Sequence, residues 1–102
     1  MRYLTVAADY TQSSLRDDFE GPVEPEALDL PKALCDELRK WNDQYRKVIP
    51  LGEEARTRAD TAELISRLDE QGQGLAQRVA DALKPEAKVR YYSEGHMRYA
   101  QP

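Results

Sequence analysis

The sequence predicts an α+β fold in the order β-α-α-β-β, with two long helices packed on one face of a small three-stranded sheet that ends in a C-terminal β-hairpin. Three observations lead there. A short alternating run opens the chain, two stretches carry apolar residues at helical spacing, and two β-rich runs near the end flank a glycine-terminated loop. With 102 residues, residues 1–102 are expected to form a single domain, because two cores at this length would each bury too little surface.

The first strand is read over Tyr3–Ala8, where Leu4, Val6 and Ala8 alternate with Tyr3, Thr5 and Ala7. Residues 9–30 hold no sustained period, and Gly21, Pro22 and Pro25 interrupt them. So long a stretch is expected to be a functional loop or to hide a short helix or turn near Leu15–Phe19. The first helix follows Pro31, whose ring suits a first helical position. Leu34, Leu38, Trp41, Tyr45 and Val48 then fall on one stripe until Ile49-Pro50 ends it. A second helix spans about Arg58 to Leu83, with Leu64, Ile65, Leu68, Leu75, Ala76, Val79 and Leu83 on one face. Gly72 interrupts that face. A glycine there costs about 1 kcal/mol of helix propensity relative to alanine, so it marks either a close contact or a break into two helices. Lys88–Tyr92 and His96–Ala100 form the hairpin around Ser93-Glu94-Gly95, with Gly95 at positive φ, Tyr91 facing Met97 and Arg90 facing Arg98. The first strand would pair in parallel with the strand at Lys88–Tyr92 through a right-handed crossover. The far sheet face would then be open, polar and partly basic.

The net charge is −4, and it is unevenly spread. Residues 9–31 carry seven acids against Arg16, whereas the first helix and the last nineteen residues are each net positive. An acidic chain of this kind disfavours nucleic acid, because phosphate binding needs clustered lysine and arginine. The one cysteine cannot form an internal disulfide, and no apolar run has the length of a signal peptide or a membrane span, which together point to a soluble cytoplasmic protein with no membrane contact.

No catalytic pattern emerges, and the chain is read as a non-enzyme with no cofactor and no metal. His96 is the sole histidine and has no companion at metal-ligand spacing. Cys35 lies inside the first helix, where a small core side chain is the simpler reading than a nucleophile with His96 as its base. Asp17, Asp18 and Glu20 lack the repeating oxygen ligands of a calcium loop, and Gly72-Gln73-Gly74 lacks the strand and the Lys-Ser/Thr of a phosphate loop. Arg90 opposite Arg98 is the one local conflict, since like charges across a strand pair repel. An anionic group is expected nearby, either the chain's own acidic loop or, from outside, an acidic partner or nucleic acid.

Trp41 and Tyr45 near the end of the first helix, Gly72-Gln73-Gly74-Leu75-Ala76-Gln77-Arg78 in the second, and Val89-Arg90-Tyr91 in a strand resemble a layout shared by short, mostly uncharacterised bacterial proteins, some of which act as toxin-immunity proteins. The resemblance implies a partner rather than a catalytic residue, and it carries over no binding position. The expected function is thus a non-catalytic binding protein that neutralises a protein partner, an immunity or antitoxin protein on a bacterial toxin domain. A regulatory or adaptor domain is the alternative. The acidic loop residues Asp17, Asp18, Glu20, Glu24 and Glu26 are expected to meet a basic toxin domain, by imitating the phosphates a nuclease binds. The alternative partner-binding face is Tyr3, Arg90, Tyr92, His96 and Arg98, and a homodimer is allowed.

Overall fold

A computed structural model describes residues 1–10 and 13–100. Residues 11 and 12 of the acidic stretch and residues 101 and 102 of the C-terminal segment lie outside the described residues. The elements are β1 (Arg2–Val6), β2 (Leu15–Asp17), β3 (Gly21–Pro22), a 3-10 turn (Pro25–Leu28), α1 (Lys32–Tyr45), a one-turn α2 (Glu53–Arg56), α3 (Ala59–Leu83), β4 (Ala87–Ser93) and β5 (Arg98–Tyr99). They build an α+β fold around a mixed five-stranded sheet ordered β3-β2-β1-β4-β5.

The centre of the sheet is as expected: β1 and β4 pair in parallel, with Leu4 beside Val89 and Val6 beside Tyr91. These side chains face α1 and α3, and Leu38, Trp41, Tyr45, Leu68, Leu75 and Val79 complete the buried core, with Leu64 and Val89 partly covered at its margin. Among the described residues no helix is long and apolar enough to cross a membrane.

The edges differ from expectation. The sheet has five strands rather than three, because the acidic stretch 9–30 is not an open loop. Its Leu15–Asp17 segment, expected to hide a helix or turn, is the strand β2, antiparallel to β1, and β3 returns against it. These strands are three and two residues long, too short for an alternating pattern to show. α1 closes at Tyr45 rather than Ile49, although Val48 is still fully buried in the turn that follows.

The hairpin register also moves. Tyr92 pairs with Tyr99 and Ser93 with Arg98, so Arg90 does not face Arg98 and Tyr91 does not face Met97. The longer loop turns at Met97 (φ 55°), and Gly95 has no positive φ. Gly95 is glycine for space: a Cβ there would lie 2.5 Å from Ile65 Cγ2 and 2.7 Å from Tyr45 Oη. Gly72 follows the same logic. α3 runs unbroken through it, and a Cβ would sit 2.3 Å from the Tyr91 ring and 2.8 Å from that of Trp41. The helix thus packs tightly against both β4 and α1, and the propensity cost of glycine is offset by that contact.

Candidate partner-binding surface

On the helix side of the sheet several buried polar groups are committed to the fold. Asp69 of α3 is buried and accepts hydrogen bonds from Tyr45 Oη (2.7 Å), Tyr91 Oη (2.6 Å) and Ser93 Oγ (2.6 Å). The chain continues outward, since the Gly95 N–H donates to Tyr45 Oη and the His96 N–H to Ser93 Oγ. Burial, with the adjacent Asp69 carboxyl, pushes both tyrosine hydroxyls far above their ordinary range, so they remain donors. Asn42, also fully buried, pairs with both backbone groups of Asp9 at 2.8 and 3.0 Å. Arg56 of α2 donates to the carbonyls of Ile49, Leu51, Glu94 and Gly95, which fastens the loop after α1 to the β4–β5 loop. The Cys35 thiol is buried against the Leu30 carbonyl at 3.6 Å, and desolvation raises its pKa. Among the described residues no group of three or more His, Cys, Asp or Glu side chains could hold a metal ion.

The acidic residues divide. Asp17 is buried, and its Oδ1 accepts from the N–H groups of Phe19 (2.9 Å) and Glu20 (3.1 Å) while Oδ2 receives Arg2 at 3.3 Å. Those bonds, the Phe19 N–H first, hold its carboxyl below the usual carboxylate range. Asp18 accepts from Thr5 Oγ1 at 2.7 Å and pairs with Arg90 at 3.3 Å. Glu24 and Glu26 both pair with Arg39 of α1. Glu20 lies exposed at the tip of the β2–β3 turn and forms no ion pair among the described residues. The chain's own loop thus supplies the anion that Arg90 was expected to need.

The alternative face is split by the shifted register. Tyr3, Arg90 and Tyr92 remain on the open face of the sheet, whereas Arg98, beside Ser93, and His96, with Nε2 3.7 Å from Asp69, belong to the helix side. Tyr99 takes a place on the open face instead. Its ring meets Tyr92 edge-on at 5.0 Å and lies 3.9 Å beneath the Arg90 guanidinium, an attractive cation–π geometry. At the other end of the face Tyr3 meets Phe19 edge-on at 6.1 Å, and Phe19 is 82% exposed.

Phe19, Tyr99, Asn42, Arg56 and Asp69 have roles that sequence reasoning did not assign. For Asp69 a signal existed: it stands next to Leu68 on the apolar stripe of α3, and two core tyrosines needed partners for their hydroxyls. Phe19 had only its company, a lone phenylalanine among acids. The comparison with known families now bears on this surface. A family model described as Serratia CdiI immunity protein-like matches residues 2–94, from β1 through β4. No curated protein matches the chain.

Proposed function

The chain belongs to the Serratia CdiI immunity protein-like family, and from that premise we propose that it is a non-catalytic binding protein that neutralises a bacterial toxin domain by occupying it. The observation that carries this reading is the family match over residues 2–94, which takes in both long helices and the four strands from β1 to β4. The disposition of the reactive side chains supports it. Asp69 is engaged by three hydroxyls, Cys35 is sealed beneath Leu30, and His96 stands beside Asp69 rather than beside the thiol. Binding, rather than bond-making, suits a protein whose titratable groups are used this way.

The test is co-expression with the toxin domain that this reading expects in a neighbouring gene. Growth should be restored, and the two purified proteins should elute as a stoichiometric complex in size-exclusion chromatography with light scattering. A toxin that still arrests growth and a mixture that elutes as separate components would overturn the reading.

A further inference from the structure

Both long helices cover one face of the sheet, and the opposite face is built unlike the rest of the surface. Tyr3 (41% exposed), Phe19 (82%) and Tyr99 (44%) gather there. Phe19 is not a loose side chain on a loose loop. Its own N–H and that of Glu20 are held by the buried Asp17 carboxylate, and the Asp18 beside it is tied to Thr5 and Arg90. The turn is therefore fastened on both sides of the ring it presents, so little ordering entropy is lost on contact. A groove of about 410 Å³ runs beside it, between Tyr3, Phe19, Lys88 and Arg90.

The charge of the face departs from that of the chain. Arg16, opposite Thr5 on β2, and Lys88, opposite Tyr3 on β4, project from it. Among the described residues neither lies within 4.0 Å of a carboxylate oxygen, and Asp18 pairs with Arg90. A protein of net charge −4 thus sets Arg16, Lys88 and Arg90 beside the exposed rings of this face, with Asp9 and Glu94 at its Arg16 end and Asp18 in the groove. Tyrosine, phenylalanine and arginine are the residues enriched at the centres of protein interfaces.

We propose that this open sheet face, anchored by Phe19 and flanked by Tyr3, Arg90 and Tyr99, is where the toxin domain docks, and that the toxin meets it with a patch apolar at its centre and acidic at its edge. The proposal rests on the immunity reading and deepens it. It also reverses the sign expected from the acidic stretch, whose Asp17 is buried under the turn and whose Asp18, on the open face, is taken up by Thr5 and Arg90.

The test uses the full chain and the toxin domain that the immunity reading expects in a neighbouring gene, with binding followed by biolayer interferometry at low and physiological salt. Phe19→Ala should weaken binding at least about tenfold with an unchanged melting temperature, because the ring is mostly exposed. Arg16→Glu with Lys88→Glu should slow association and reduce its salt sensitivity. Full-strength binding by both variants with unaltered salt dependence would overturn the face while leaving the immunity reading intact. Absence of binding by the unmodified chain would overturn both. Self-association of the unmodified chain that Phe19→Ala abolishes, with toxin binding unaffected, would assign the face to a second copy and overturn the toxin assignment.

Discussion

Tyr91 concentrates several physical effects in one side chain. Its ring fills the space that Gly72 leaves, it meets Trp41 edge-on at 5.9 Å, and its hydroxyl reaches the buried Asp69. Replacing it by phenylalanine keeps the ring and removes one of three hydroxyl donors from a buried carboxylate, which should cost about 1–3 kcal/mol. The pH dependence has a definite sign. In the unfolded chain a tyrosine ionises near about pH 10, whereas burial keeps Tyr91 and Tyr45 protonated well above that in the native state. The folded form then binds more protons, so stability is fully present below pH 10 and falls as the pH rises further. Urea unfolding followed from pH 8 to 11 should show that decline, and Tyr91→Phe should show a shallower one from a lower starting stability. Parallel curves for the two proteins would exclude Tyr91 as a contributor.

Among the elements, legibility followed period and length. Leu34, Leu38, Trp41 and Tyr45 repeat often enough that α1 declares itself, and α3 and the parallel β1–β4 pair were readable for the same reason. β2, β3 and the one-turn α2 are shorter than any period, and the turns beside them are tied by Asp17 and Arg56, whose reach depends on tertiary placement. The hairpin was misread because a terminal glycine suggested a three-residue turn, when Gly95 is small to admit Ile65 and Tyr45. That distinction is measurable. Asparagine tolerates positive φ, so it would be harmless at Gly95 if conformation were the reason; on steric grounds Gly95→Asn should cost about 1–3 kcal/mol. Met97, which does hold φ 55°, should accept glycine without loss. Denaturant midpoints of the two variants should therefore move apart, and a neutral Gly95→Asn would restore the conformational account. Of the candidate surface, Tyr3, Arg90 and Tyr92 were legible from strand alternation, whereas Phe19 depended on a turn that no local pattern announced.

Over the whole molecule, the acidic stretch is tied to both sides of the sheet, to the open face through the Arg90–Asp18 pair and to the start of β1 through the Arg2–Asp17 pair. Asp17→Lys with Asp18→Lys should accordingly lower the melting temperature as well as any affinity, because it breaks the turn from within. The depressed pKa of Asp17 gives the same answer in acid. Its contribution is present above the ordinary carboxylate pKa of about 3.9 and is lost as the pH falls through the lower native value. Thermal melts at neutral pH decide the first point: an unchanged midpoint in the double variant would make those carboxylates surface charges only. The central pairing of β1 with β4 has another consequence. Thr5 and Arg90 touch across 85 residues of chain, so β1 leaves the ribosome well before the strand it pairs with. Translation at roughly 5–20 residues per second therefore imposes seconds of delay in which β1 has no permanent neighbour on that side. A chain cut short before β4 would leave β1 without its parallel partner and unable to close the sheet.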